Sequence, residues 1–284
     1  MFMEKKEEMI RCYEDTEKLC KENERLQKAI ESSVAGTRFY DEEETPKVPA
    51  PRYETTAVSV QNCRTFEMAL PYRRKFPTDR IVAHNFASAR DEDGDVYIYS
   101  MAQEAALCRK STLLPVLERD DIWKRRYASK WEEGNMLFTD DCLYTPGITI
   151  VMTDEDQPLQ LPEEDWVEVD VLTCAAPILR YLSWSRAGED SKKYSQLSDE
   201  DIFAIHMRRG RHLLSIAAAN HADILILGAH GCGPFRNPPE IVAEAYYSLL
   251  AEFDGQFREV GFAIYCVPQD MENYDVFKKV FGDR

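Results

Sequence analysis

The sequence predicts an α/β fold in which a mostly parallel sheet is flanked by helices. From residue 56 onward, short β-branched runs alternate with helical patterns, as they do when strands and crossover helices succeed one another. No second apolar core is evident in the 284 residues, and loops rich in glycine or acid follow two of the strand-like runs. In open α/β sheets ligands collect at those strand ends.

The candidate strands are residues 56–60, 81–86, 148–152, 167–174, 223–227 and 260–267, with helical stretches at 64–74, 101–117, 199–220, 240–253 and 271–281. Residues 3–31 predict a helix whose apolar positions are Met9, Ile10, Tyr13, Leu19, Leu26 and Ile30, and an acidic, proline-rich loop follows from Asp41 to Pro51. The expected organisation is an N-terminal helix and loop, residues 1–55, packed on a core of residues 56–284.

A formal charge of −16 argues against a broad phosphate-binding surface, so no nucleic-acid duplex is expected as a partner. The one basic cluster, His206-Met207-Arg208-Arg209-Gly210-Arg211, reads as a solvated helix face. Eight cysteines stand singly, with no CxxC pair and no histidine at zinc-finger spacing, so no metal site is expected and a reducing compartment is. No apolar signal core or run of about 18 apolar residues occurs, so no membrane association is expected. The expected location is cytoplasmic, with nuclear access or delivery into a host cell left open.

Two loops carry the chemistry. Gly228-Ala229-His230-Gly231-Cys232-Gly233-Pro234-Phe235-Arg236-Asn237 joins the strand ending at Leu227 to a helix near Pro238-Pro239. Its glycines allow a tight turn that offers NH groups to a phosphate, with a helix dipole behind them. A plain strand-to-helix turn is the alternative, and His230 and Cys232 read as loop or wall residues. The second loop runs from Ala83-His84-Asn85-Phe86 into Asp91-Glu92-Asp93-Gly94-Asp95, and a helix follows with Gln103-Glu104-Ala105 near its start. Glu104 sits where the helix dipole favours a carboxylate, which is also consistent with simple capping.

At these loops the chain resembles the microbial-type poly(ADP-ribose) glycohydrolases. Asn85-Phe86-Ala87-Ser88-Ala89, Asp93-Gly94-Asp95, Gln103-Glu104-Ala105 and Cys108 to Leu113 align in order with the family's Asn-Phe-Ala-Ser-Ala, triple glycine, Gln-Glu-Glu and Cys-Arg-x-Ser-Thr-Leu. Tyr144-Thr145-Pro146, Ala175-Ala176-Pro177 and the Gly228–Asn237 loop resemble three further family segments. The resemblance implies a macrodomain-like three-layer α/β/α sandwich, a mixed and mostly parallel sheet, and an ADP-ribose cleft over the strand ends. It implies ADP-ribose as ligand or product and no cofactor. Ligand contacts are expected from Asn85, Asp91, Gly94, Gln103, Gly228, Gly231, Cys232, Gly233, Pro234, Phe235 and Asn237.

The departures fall on the chemistry. The last glutamate of Gln-Glu-Glu is the family's general acid, and Ala105 stands there. Two loop glycines have become Asp93 and Asp95. In the favoured reading Asp93, Asp95 and Glu104 are catalytic, and the protein removes mono-ADP-ribose from arginine side chains of a target protein, with ubiquitin a candidate, rather than cleaving polymer. An acidic loop would attract a cationic guanidinium and stabilise an oxocarbenium-like transition state. The alternative is a catalytically silent ADP-ribose reader.

Overall fold

The computed structural model describes residues 2–44, 46–87, 100–124, 137–179 and 197–282, with side chains from residue 6 onward. Seven strands form one sheet: β1 (Arg38–Tyr40), β2 (Ala57–Gln61), β3 (Ile81–Asn85), β4 (Cys142–Ile150), β5 (Val167–Thr173), β6 (Ile224–Leu227) and β7 (Glu259–Ala263). Their order is β1-β4-β5-β3-β6-β7-β2. From β5 to β2 all pairings are parallel, while β1–β4 and β4–β5 are antiparallel, which makes the sheet mixed and mostly parallel as expected.

The described helices are α1 (Phe2–Glu22), α2 (Glu24–Gly36), α3 (Thr65–Lys75), α4 (Gln103–Cys108), α5 (Leu113–Leu117), α6 (Asp120–Trp123), α7 (Asp199–Ala219), α8 (Pro239–Glu252) and α9 (Glu272–Phe281). They cover both faces. Alternation along each strand sends Ile81, Ala83, Val169, Val171, Ile224 and Ile226 to a cluster shared with α1 to α5. Val82, Leu172, Leu225, Leu227, Val260 and Phe262 face α7, α8 and α9 instead. These parallel strands are buried on both sides, and so read as nearly continuous apolar runs.

Four local differences from expectation have physical causes. The predicted helix over 3–31 is two helices, because Asn23 Oδ1 accepts from Arg25 N (2.9 Å) and Leu26 N (3.2 Å) and starts a new one. The predicted helix over 101–117 is interrupted: Ser111 Oγ donates to Leu107 O (2.8 Å), and Thr112 exchanges hydrogen bonds with Thr149 of β4. Strand β4 begins at Cys142 rather than 148. Pro146 and Gly147 interrupt its ladder at a register shift where Gly147 takes φ +70°, a conformation that hides a strand from pattern reading. The three-residue β1 pairs with the front of β4, so the N-terminal segment supplies a sheet edge as well as helices.

The N-terminal helices are tied to the body by Leu26 and Ile30 and by Cys12 and Thr16, whose side chains donate to Arg109 O (3.3 and 2.6 Å). Leu26 is fully buried. Leu26→Ala is expected to destabilise the protein by about 2–5 kcal/mol, measured by denaturant unfolding. A single transition in both proteins shows that these helices unfold with the sheet.

Candidate functional site

The carboxyl ends of β3, β6 and β7 open into one cleft of about 670 Å³. Its walls come from Phe86 and Ala87 after β3, Ala176 and Ile178 after β5, Ala229 to Phe235 after β6, and Ala263 to Tyr265 at the end of β7, with Ala102 to Glu104 at the start of α4. These are the strand ends at which the sequence places ligand-holding loops.

The loop after β6 is a succession of tight turns: His230 N donates to Gly228 O (2.8 Å), Cys232 N to Ala229 O (3.1 Å) and Arg236 N to Gly233 O (3.0 Å). Among the described residues the intervening amides of Gly231, Gly233 and Phe235 make no hydrogen bond, and the loop leads into α8. That is a strip of donors suited to an anion. Gly231 requires its lack of a side chain: at φ +80° a Cβ would lie 2.5 Å from Asn237 Nδ2 and 2.6 Å from Ala176 Cβ. A Cβ on Gly233 would meet nothing within 4 Å.

The other expected ligand residues divide. Gly231, Gly233, Pro234, Phe235, Gln103 and Glu104 line the cleft. Gly228 is packed against Phe86 and Ala263 O. Cys232 is buried in the cluster beneath the loop, and burial pushes its thiol pKa up, which removes it as a nucleophile. Asn237 is buried, its amide donating to Pro177 O (2.8 Å) and Gly231 O (3.0 Å). Asp91, Asp93, Gly94 and Asp95 lie outside the described residues.

Asn85 and Gln103 act as braces. Gln103 Nε2 donates to His84 O (2.7 Å) and Thr65 Oγ1 (3.0 Å), and its Oε1 accepts from Phe86 N (2.9 Å). Asn85 is fully buried and donates to Glu104 Oε2 (2.9 Å) and Thr173 Oγ1 (3.1 Å). Glu104, 2% exposed, is thereby fixed at the first turn of α4. Ala105, where the resemblance places an acid, is buried in the apolar cluster on the α1–α5 side.

Some site residues were not legible in the sequence. Arg64 lies 4.0 Å over the Tyr265 ring and is anchored on Asp156 (2.5 Å), and both line the far end of the cleft. Tyr265, two residues past β7, could have been found from the strand-end rule. The basic cluster is not a solvated face as a whole. Arg208 and Arg211 are exposed, but Arg209 is 1% exposed and donates to Asp140 Oδ1 (2.8 Å), Ala175 O (2.7 Å) and Leu137 O (2.8 Å). Burial works against the Asp140 carboxylate, yet Arg209 and Arg208 together outweigh it and hold its pKa below the usual value. Periodicity could not separate this inward arginine from its outward neighbours.

Three histidines stack beneath the loop: ring centroids are 4.4 Å apart for His84 and His230, and 6.1 Å for His206 and His230. Burial lowers the pKa of His84 to about 3 and of His206 to about 4, and burial, then His84, His206 and Arg209, lower that of His230. All three are neutral at pH 7.

Residues 6–153 match the family described as microbial-type PARG, catalytic domain, and the chain belongs to that family. Among solved structures it is similar to poly(ADP-ribose) glycohydrolase from Deinococcus radiodurans in complex with ADP-ribose, at 28% identity and a TM-score of 0.75, covering 89% of this chain and 97% of that one. It is also similar to the glycohydrolase from Thermomonospora curvata bound to the inhibitor ADP-HPD, at 25% identity and a TM-score of 0.77, covering 95% and 98%. A further Thermomonospora curvata structure, at 24% identity, shares the fold with a TM-score of 0.80 over 96% and 99%. No curated protein sequence matches the chain. Among the described residues no helix is long and apolar enough to cross a membrane.

Two outcomes are expected. Gly231→Ala lowers stability by at least about 1 kcal/mol, from the positive φ alone, whereas Gly233→Ala leaves the melting temperature within a degree or so of the parent. Separately, the histidines carry native pKa values below the unfolded 6.5, so the unfolded state binds more protons as pH falls from about 6.5 toward 4. The unfolding free energy from denaturant titrations should therefore fall through that window, by about 1.4 kcal/mol per pH unit for each such histidine.

Proposed function

We propose that this chain binds ADP-ribose in the cleft and hydrolyses the bond between mono-ADP-ribose and a protein side chain, with arginine-linked modification as the favoured substrate. The observation that carries the reading is Glu104: a buried carboxylate on the cleft wall, locked by Asn85, beside an alanine in the position of the family's acid. Cleaving polymer requires a proton for a departing ribose oxygen, and Ala105 cannot supply one. An arginine linkage makes a smaller demand. Its guanidinium is already protonated at neutral pH and leaves as a neutral guanidine. What the site must then provide is negative charge against the oxocarbenium-like carbon and a base for the attacking water.

Glu104 supplies the first role in this reading, and Asp93 or Asp95 the second. Water adds at the anomeric carbon, the carbon–nitrogen bond breaks, and ADP-ribose and an unmodified arginine result. Side chains and water suffice, with no cofactor. The glycine loop holds the diphosphate, consistent with the ADP-ribose in the Deinococcus radiodurans relative. The Ala105 replacement by itself favours a second reading, a reader that binds ADP-ribose without turnover.

Incubation with arginine-linked mono-ADP-ribosylated protein and, separately, with poly(ADP-ribose), following free ADP-ribose by mass spectrometry, distinguishes them. Release from the arginine substrate alone is expected. Glu104→Gln and Asp93→Asn should each lower kcat by about 100-fold or more with the ADP-ribose Kd little changed. Binding without release would establish the reader, and absence of ADP-ribose binding would remove both readings. Gly233→Leu is expected to weaken ADP-ribose by about tenfold or more at unchanged melting temperature, since its side chain enters open space on the cleft wall.

A further inference from the structure

We infer that His206 is a positioning residue for the phosphate-holding loop: its neutral ring orients the Asn237 amide, which ties the loop after β6 to the segment after β5. The inference rests on the proposed ADP-ribose site and deepens it. Asn237 Nδ2 donates to Pro177 O (2.8 Å) and to Gly231 O (3.0 Å), so both of its N–H groups are used. Its Oδ1 therefore faces His206 Nε2 at 2.8 Å as an acceptor, and His206 must carry its proton on Nε2.

The two carbonyls held in this way belong to two different loops that meet at the cleft wall, since a Cβ on Gly231 would lie 2.6 Å from Ala176 Cβ. Gly231 lines the cleft within the loop after β6, and Pro177 lies between the lining residues Ala176 and Ile178 after β5. Gly231 is in van der Waals contact range of the same amide, where not even a Cβ would fit. A rotated Asn237 would place its carbonyl oxygen against the oxygens of Gly231 and Pro177, breaking both bonds and adding repulsion. The donor on the far side adds a third restraint, because His206 Nε2 holds Oδ1 in the orientation that leaves both N–H groups facing those carbonyls.

The surroundings keep that donor neutral and in one tautomer. Arg209 on the same helix opposes a second positive charge, Asp140 ahead of β4 is taken up by Arg208 and Arg209, and His230 lies edge-on with His84 behind it. His230 Nε2 is turned away to donate to Cys174 O (3.0 Å). His206 is 1% exposed and does not line the cleft, so it acts through Asn237 alone.

The test is NMR titration of the parent, His206→Phe and His206→Gln with ADP-ribose and with adenosine, which lacks the phosphates. His206→Phe should weaken ADP-ribose about tenfold, the equivalent of one lost hydrogen bond to a buried acceptor, and leave adenosine unchanged. His206→Gln, whose Nε2 can stand where the histidine's does, should return ADP-ribose to within about threefold of the parent. Parent-like affinity in His206→Phe, equal losses for both ligands, or no rescue by glutamine overturns the inference. Should His206→Phe not fold, nitrogen-15 spectra of the parent decide. A proton on Nε2, with a shift of that signal on adding ADP-ribose, supports the relay, and a proton on Nδ1 or an unmoved signal refutes it. If the parent binds no ADP-ribose, the proposed site itself falls, an outcome separate from any behaviour of the variants.

Discussion

Gln103 closes a short circuit of hydrogen bonds at the end of β3, and most of the cleft depends on it. The chain must leave the central strand, pass through residues outside the described set, and return as α4 with Glu104 aimed at the same strand end. One side chain ties both ends, accepting from Phe86 N while donating to His84 O and to Thr65 Oγ1 of α3. Asn85 then reaches Glu104 from the strand side. The carboxylate is thus tied to β3 twice, directly by Asn85 of the strand and through its neighbour Gln103 at the start of α4.

This arrangement separates what a family member needs to bind from what it needs to react. In the proposed reading binding draws on backbone donors of the loop after β6 and on the shape of the strand ends. Neither is touched by the replacement of an acid at position 105. Reaction draws on where charge sits around one carbon of the ligand, and at the positions that resemble the family's catalytic motifs the sequence carries aspartate for glycine and alanine for glutamate. In the proposed reading the loss of that acid is tolerable because the leaving group brings its own proton. A guanidinium does, and a ribose hydroxyl does not.

The sequence made the strand ends legible because two-sided burial writes parallel strands as apolar runs and because glycine clusters mark where the backbone must turn. It made β4 only half legible, since Pro146 and Gly147 break the pattern where the ladder shifts register. Asn85 and Gln103 were legible as important but not in role: polar residues at a strand end or a helix start look alike whether they touch a ligand or hold the backbone. Arg209 and His206 were misread, because a helix with Arg208 and Arg211 outward and Arg209 inward has the composition of a solvated face. What distinguishes them is the set of carbonyls at positions 137 and 175 and the Asn237 amide, all remote in sequence.

Buried histidines under the loop are costly compared with apolar residues of the same size, since several of their ring nitrogens find no partner. Leucine at His230 would leave Cys174 O without its donor, and at His206 would leave Asn237 Oδ1 without one. Both acceptors belong to segments that the loop's unusual turns force together: Cys174 where β5 runs into the cleft wall, Asn237 where the loop becomes α8. The amides of Gly231, Gly233 and Phe235, free among the described residues, do not satisfy those acceptors. The donors are side chains instead, His230 of the loop itself and His206 of α7, and a neutral imidazole supplies one N–H from a flat, well-packed ring without bringing a charge into the core.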